Sequence, residues 1–327
     1  NFLNYSMPSS QIERKLAAIM FTDIVGYTEY MSKNQDARTD TVMLAENTRK
    51  EIREALEDGS LKAAIIPIGS VEQHNEHLTL NTDIALSTYI SQQVALKLYP
   101  EVTVAPPCQV GFSPYHMARA GTLTLRKETL RAYIYDVSES LKTHGIRCVL
   151  VLNGHGGNNK LISGVMHEWR HQLGININEM FYHGNISENE RIEILQGYRD
   201  LRDGKLDTRA RQTALNHASE EETSMMMAAC PQRVRSFSME EYDSSELNYA
   251  DNLPPDVETY LRPFSKTGWP KKGDNPENPR DRARQENAML ATVEKGHALL
   301  NISINRITNK LRKMIEETET TLSESAK

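Results

Sequence analysis

At 327 residues, 39% hydrophobic and 25% charged, the chain has the make-up of a globular protein of one large or two ordinary domains. A net charge of −6 with scattered Lys and Arg excludes a basic nucleic-acid surface, and no apolar run approaches the roughly 20 residues that span a bilayer. The three cysteines, Cys108, Cys148 and Cys230, form neither a C-x-x-C pair nor a disulfide ladder, and no signal peptide is visible, so a reducing, cytoplasmic setting is expected.

Residues 1–11 are polar and irregular, and 14–28 (RKLAAIMFTDIVGYT) read as a short β-rich segment. An apolar stripe through Val42, Leu44, Ile52, Ala55 and Leu56 predicts a helix over about 41–57, closed by Asp58-Gly59. Three nearly continuous apolar runs, at 63–68, 102–105 and 148–152, have the pattern of parallel strands covered on both faces. Helical stretches at about 84–98 and 127–144 separate them. A helix at 158–173 and a strand near 176–182 continue the alternation. The expected class is α/β: right-handed crossovers and a three-layer α/β/α sandwich around a mostly parallel sheet. Residues 185–215 are charged and helical. Residues 231–285 are rich in Pro, Asp, Asn and Gly, and the irregular stretch 266–280 suits a binding loop or an oligomer contact. Helical periodicity returns over 283–316, and 317–327 is expected to be a flexible tail.

Ligands of open parallel sheets bind beyond the carboxyl ends of the strands. There the first strand runs into GSVEQHNEH and then Asp83, and the third runs into NGHGGN. Glu72, His74, Asp83 and His155 thus combine imidazole and carboxylate without thiolate, the donor set of hard-to-borderline divalent metals. Glu72 and His74 are two apart and share a side in an extended segment. Asp83 has two oxygens with which to bridge two ions, and glycines around His155 allow close backbone approach. A third cluster, HASEEETS at 217–224, sets a histidine beside three carboxylates at a helix start. One of those glutamates completes a metal site, and His217 suits a proton shuttle. Taken singly, a strand-end histidine reads as structural and an acidic run as a helix N-terminus. Three clusters of matching donor chemistry after sheet ends favour the metal site.

The segments IPIGSVEQHNEHLTLNTD (66–83), GTLTL (121–125), NGHGGN (153–158) and HASEEETSMMMAACPQRV (217–234) resemble the creatininase family of metal-dependent amidohydrolases, over roughly residues 42–310. The resemblance implies a formamide-hydrolase-like α/β/α fold, a homohexamer, and two divalent ions per subunit, Zn, Mn or Fe. It implies hydrolysis of a non-peptide C–N bond, in a cyclic or linear amide of a small molecule, by a metal-activated hydroxide. By motif, Glu72 and His155 hold one ion, His74 the other, and Asp83 bridges. Creatininase itself takes a further ligand from a glutamate two positions after the third-motif histidine. Gly157 stands there in this chain, so the resemblance moves that ligand to Glu222, with Glu220 as the other candidate. His217 matches the histidine given proton transfer, His116 and Tyr115 are expected to touch substrate, and His77 to be structural. Asn75, Glu76 and Thr79 replace residues of the family's usual His-Gly-Pro-His-Leu-Pro, which bears on the substrate. Trp169 reads as helix packing and Trp269 lies in the irregular loop, so creatinine is not the favoured substrate. The alternatives are another substrate on the same scaffold, a short peptide or a cyclic sugar-like ketone, or a non-catalytic metal-binding protein.

Residues 14–28 also resemble the opening of a class III nucleotide cyclase, with Asp23 at the position of a metal-binding aspartate. The rest of such a domain does not follow. The expected division is an extension over 1–40, a hydrolase domain over 41–316 and the tail over 317–327.

Overall fold

The computed structural model describes residues 42–117, 119–239 and 279–325. The expectations for the cyclase-like segment with Asp23 and for the loop carrying Trp269 lie outside the described residues. Helix α1 (Arg49–Glu57) leads into strand β1 (Ala63–Ile68). Helix α2 (Thr82–Lys97) then crosses to β2 (Val102–Val104), and α3 (Lys127–Thr143) crosses to β3 (Cys148–Asn153). Two short helices, α4 (Asn159–Ser163) and α5 (Met166–Leu173), lead to β4 (Asn176–Phe181). The strands pair in parallel in the order β2-β1-β3-β4, with Ala63 opposite both Val102 and Cys148, and Cys148 opposite Asn176. After the sheet come α6 (Glu188–Ile194), α7 (Gln196–Arg202), α8 (Arg209–Thr213), α9 (Glu220–Ala229), α10 (Pro279–Ala288) and the long α11 (Val293–Ser325).

The central strands β1 and β3 are almost wholly apolar because both faces are covered, whereas β4, with Asn176, Asn178 and Glu179, is partly exposed. Ala63, Ile65, Cys148, Leu150 and Leu152 enter one core with Leu86 and Ile90 of α2, Met225 and Met226 of α9, and Leu299 and Leu311 of α11. The alternate residues Ala64, Ile66, Ile68, Val149 and Val151 enter a second core with Leu130 and Ile134 of α3 and Met166 and Trp169 of α5. Each fully buried Ile or Leu is worth roughly 1.5–3 kcal/mol, so the two cores fix the three layers. Trp169 is buried edge-on to Tyr135, as expected of a packing residue. No helix among the described residues is long and apolar enough to cross a membrane.

Several element boundaries differ from the sequence-based expectation for identifiable reasons. The first helix begins at Arg49 instead of about 41, because Thr48 and Glu51 form a capping box: the Glu51 N–H donates to the Thr48 hydroxyl, and the Thr48 N–H donates to the Glu51 carboxylate at 2.6 Å. The helix expected over 158–173 is broken at Gly164-Val165, where glycine favours an interruption. The C-terminal stretch read as a flexible tail from 317 is helical through Ser325. It is tied down by Glu319, 2.7 Å from the Lys62 ammonium, and by Thr318, which accepts from the Asn176 amide at 3.2 Å.

Candidate metal centre

The strand order reverses between β1 and β3, since β1 leads outward to β2 and the chain then returns to lay β3 on the other side. Open sheets part their loops at such a point. The strand ends are locked there by the Gly154 N–H, which donates to the Ile68 carbonyl at 2.7 Å. Two glycines bring the start of α2 down onto them. A Cβ on Gly69 would lie 2.6 Å from Ile84 Cα, and one on Gly154 would run into the Asp83 carbonyl. This close approach sets Asp83, in the first turn of α2, directly over the crevice. Gly154 and Gly157, on either side of His155, therefore make room for protein groups, while nothing lies within 4 Å of a Cβ added at Gly156. A Cβ on Gly157 would collide with the Tyr115 hydroxyl, His155 Nε2 and the Phe112 carbonyl, so no side chain fits at that position.

Glu72, His74, Asp83, His155, Glu222 and His217 converge in the crevice. His155 Nδ1 lies 3.0 Å from Asp83 Oδ2 and 3.2 Å from Glu72 Oε2. His74 Nε2 lies 3.2 Å from Asp83 Oδ1 and 3.8 Å from Glu222 Oε2. Besides Glu72, His116 and His217, two groups have ligand atoms within 4.8 Å of each other: Glu72, Asp83 and His155, and His74, His217 and Glu222. Asp83 faces both with different oxygens. Glu72 and His74 do not share a strand: β1 ends at Ile68, the segment beyond it is irregular, and the two side chains serve different groups.

Hydrogen bonds outside the crevice orient its ligands. His74 Nδ1 donates to the Glu72 carbonyl at 3.1 Å, and His155 Nε2 donates to the Phe112 carbonyl at 3.1 Å. Each histidine therefore turns its other ring nitrogen toward carboxylates, which is how metal-ligating imidazoles are held. His74 Nε2 and Asp83 Oδ2 are buried without a hydrogen-bond partner, a costly arrangement unless another charged species satisfies them. The donor chemistry and these orphaned atoms fit divalent ions. Tyr115 adds its hydroxyl 2.9 Å from His155 Nε2, and Ser113 donates to Glu72 Oε2 at 2.6 Å.

The electrostatics agree with this geometry. Burial works against charge on His74 and His155. Asp83 and then Glu222 nevertheless raise His74 to about 9, and Glu72 with Asp83 raise His155 well above the ordinary imidazole range. Burial also opposes ionisation of Glu72, but the His155 cation beside it holds it well below the usual carboxylate range. Glu222 is pushed up to about 7 by burial and by the Asp83 charge, against the pull of His74. His116 and His217 are depressed by burial, to about 4 for His116. Their approaches to Glu72 Oε1, at 3.7 and 3.6 Å, are therefore contacts of neutral rings.

The three glutamates at the start of α9 point in three directions, because successive helical residues are rotated by about 100°. Glu220 accepts from the Gln196 and Gly197 N–H groups at 2.9 and 2.8 Å and from Lys295 at 2.6 Å. Glu221 takes a two-pronged bond from Arg191 at 2.7 and 2.9 Å. Glu222 alone of the three turns to His74, while Tyr182 and the Ala218 N–H donate to it. His77 is bound to Gln285 and Thr223, at 3.1 and 2.9 Å, and belongs to neither ligand group. Sequence reasoning missed Gln73, Ser113, Tyr182 and Arg284. Gln73 holds His116 Nδ1 through its side-chain amide at 3.1 Å and accepts from His217 Nε2 through its carbonyl at 2.8 Å. Its position between Glu72 and His74 was the available signal. The other three carry no local pattern.

A cavity of about 310 Å³ opens onto Glu72, Asp83, His155, His217 and Glu222, with Tyr115 and His116 also in its wall. That is the small end of the range for ligand sites, roughly 300–1,000 Å³. Fold and site together define an α/β/α protein with a candidate binuclear metal centre at the sheet's switch point. The chain belongs to the creatininase family: the family profile, described as creatinine amidohydrolase, matches residues 45–311. Similar curated proteins include a mycofactocin precursor peptide peptidase of Mycobacterium ulcerans (strain Agy99), 35% identical over 32% of this chain and 45% of its own. A 3-dehydro-scyllo-inosose hydrolase of Thermotoga maritima is 38% identical over 33% and 34%. A creatinine amidohydrolase of Pseudomonas putida is 29% identical over 37% and 48%. The chain thus spans less than half the length of each of these relatives. A crystal structure of creatinine amidohydrolase shares the fold, with a TM-score of 0.60 at 22% identity over 84% of this chain and 98% of that one. Further structural neighbours are described as Zn–Zn and Mn forms of creatininase, with TM-scores of 0.60 and 0.56, each 20% identical, over 84% of this chain and 98% and 99% of theirs.

Proposed function

We propose that the chain is a metal-dependent hydrolase of an amide C–N bond in a small molecule, working with two divalent ions, Zn, Mn or Fe. The observation that carries the reading is the pair of histidines anchored by backbone carbonyls with their free nitrogens turned onto buried carboxylates. Glu72 and His155 would hold one ion, His74 and Glu222 the other, and Asp83 would serve both. When bound, such ions supply Lewis acidity that polarises a carbonyl and makes water acidic near neutral pH. His217 supplies proton transfer. Its Nε2 is committed to the Gln73 carbonyl, so Nδ1 is the working atom, and burial keeps the ring neutral. A neutral imidazole accepts the proton released as water attacks and passes it to the leaving nitrogen. Tyr115 and His116 line the cavity where substrate would sit.

The names of two relatives, an amidohydrolase and a peptidase, support a C–N bond. The Thermotoga maritima relative favours a second reading, hydrolysis of a cyclic sugar-like ketone. A panel of lactams, formamides, short peptides and cyclic polyol ketones, each with added Zn or Mn, separates them. The expected outcome is hydrolysis of an amide that chelation stops and that His74→Ala and Asp83→Ala both abolish, with their circular dichroism unchanged. Turnover of the ketone alone would overturn the C–N assignment, and full activity in either variant would overturn the metal centre. The three cysteines are buried and none is in a disulfide, which supports a reducing, cytoplasmic setting. The family resemblance supports a homohexamer, which light scattering would check.

A further inference from the structure

Glu72 turns one oxygen, Oε2, to His155 and Ser113. Its other oxygen, Oε1, faces His116 Nε2 at 3.7 Å and His217 Nδ1 at 3.6 Å. The two rings stack with centroids 4.8 Å apart, and their ligand atoms make a third group with Glu72, all within 4.8 Å of one another. These approaches are too long for hydrogen bonds. They are close to the spacing of about 3.4 Å between ligand atoms that share one tetrahedral zinc at roughly 2.0–2.2 Å. All three side chains line the cavity, and His116 and His217 keep 16% and 12% of their side-chain surface accessible. The same wall sets the carboxyl groups of Glu72, Asp83, Glu221 and Glu222 against the guanidiniums of Arg191 and Arg284, an acidic excess that favours a cation.

The opposite edges of both rings are held by Gln73. His217 Nε2 donates to the Gln73 carbonyl at 2.8 Å, and His116 Nδ1 lies 3.1 Å from the Gln73 amide nitrogen. That nitrogen also lies 3.1 Å from His217 Nε2, so two donors stand side by side. Turning the amide end for end puts its oxygen there instead, where it accepts from both rings, at the loss of the bond from the Asn75 N–H. Each ring then keeps its proton on the Gln73 side and offers a lone pair to the point it shares with Glu72 Oε1. Metal-ligating imidazoles are held in this way. We propose that Glu72, His116 and His217 form a third divalent-cation site, selective for zinc over manganese, whose occupation switches the centre off. Two imidazoles and one carboxylate favour zinc over manganese. Repulsion from two ions already bound weakens the site on the order of 100-fold relative to theirs, so it fills only at excess zinc. The inhibitory part rests on the hydrolase reading: an ion on His217 Nδ1 takes the atom given proton transfer, and its place beside His116 blocks the cavity where substrate would sit.

Zinc bound per subunit, counted by equilibrium dialysis and elemental analysis against rising free zinc, tests the site. His167 and His171, exposed one turn apart on α5, are another pair able to chelate zinc, so the count is made in His171→Ala. It should pass two ions and level at three, while manganese levels at two. In His171→Ala with His116→Gln, zinc should level at two. A His171→Ala count that stops at two would overturn the proposal. A third ion retained without His116 would place it elsewhere, and fewer than two would move His116 into the resident centre; either result sinks the assignment. Should the His116 variant not fold, anomalous scattering at the zinc edge from wild-type crystals in excess zinc decides: a peak between Glu72, His116 and His217 supports the site, and its absence there refutes it. Turnover of the amide cleaved should fall by about 100-fold, the low end of what proton transfer contributes, over the zinc range that fills the third site. A filled site with unchanged turnover would refute the inhibitory role. Ion counting needs no turnover, so a third ion in a protein that cleaves no amide would overturn the hydrolase reading alone. Amide hydrolysis with a count that stops at two would overturn only the third site.

Discussion

His74 carries two opposed demands on one nitrogen. Burial disfavours its charge, yet Asp83, with Glu222 and Glu72, holds it protonated up to about pH 9 in the metal-free protein, and His155 is raised by the same kind of surroundings. The proton occupies the place an ion would take. Because the folded value lies above the ordinary 6.5, this protonation stabilises the metal-free fold fully below about pH 6.5. That contribution fades as pH rises through 9. Metal affinity runs the opposite way, since each ion must displace these protons. Apparent affinity should rise about tenfold per pH unit for one displaced proton, and up to about a hundredfold for two, until it levels above about pH 9. Competition with a zinc chelator at pH 6, 7 and 8 measures this, and a flat profile would remove both histidines from the ligand set. Ser113 tests the outer support at the same scale. Its hydroxyl donates to Glu72 Oε2 at 2.6 Å, and Ser113→Ala should weaken metal binding by roughly 10- to 100-fold while leaving the melting curve of the chelated protein close to that of the parent.

Helix α9 delivers Glu222, and its placement depends on how closely α11 packs against it. A Cβ on Gly296 would run into the Ser224 carbonyl and come within 2.8 Å of the Ala228 Cβ. Gly296→Ala should therefore cost about 1–3 kcal/mol in urea unfolding as the helices are wedged apart, and it should weaken metal binding by moving Glu222. Gly156→Ala is the control. Nothing lies within 4 Å of its added Cβ and its φ is not in the left-handed region, so stability should stay within about 0.5 kcal/mol. Equal effects in the two variants would refute the argument. This is also the scale at which the sequence was most and least informative. The strands were legible because burial on both faces makes an apolar run, and 63–68 matches β1 residue for residue. The candidate ligands Glu72, His74 and His155 were legible because they follow those strands. Helix phase within Glu220–Glu222 was not, since a run of three glutamates has no internal contrast until Lys295, Arg191 and His74 are placed around it. Arg284 was invisible because its hydrogen bond is to Asp281 on its own helix and nothing in its sequence neighbourhood marks it.

Across the whole molecule, the candidate ligands come from four separate segments of the chain. Glu72 and His74 follow β1, Asp83 opens α2, His155 follows β3 and Glu222 opens α9. An ion bound there closes long loops between segments far apart in the chain, and it binds the folded state alone. Its effect must therefore appear as global stability rather than as local ordering. At a free metal concentration about 100 times Kd, linkage adds about 2.7 kcal/mol. For a domain of this size, each kcal/mol shifts the melting temperature by roughly 2–4 °C. Zn or Mn should thus raise the melting temperature of the chelated protein by about 5–10 °C at pH 8. The rise should be smaller at pH 6, where His74 and His155 hold their protons against the ion. Asp83→Ala, which removes the carboxylate facing both ligand groups, should lose most of the rise at either pH. Differential scanning calorimetry of both proteins with and without metal provides the check. An equal shift in Asp83→Ala would mean that the ion binds outside the crevice, and the amidohydrolase reading would then lose its metal centre.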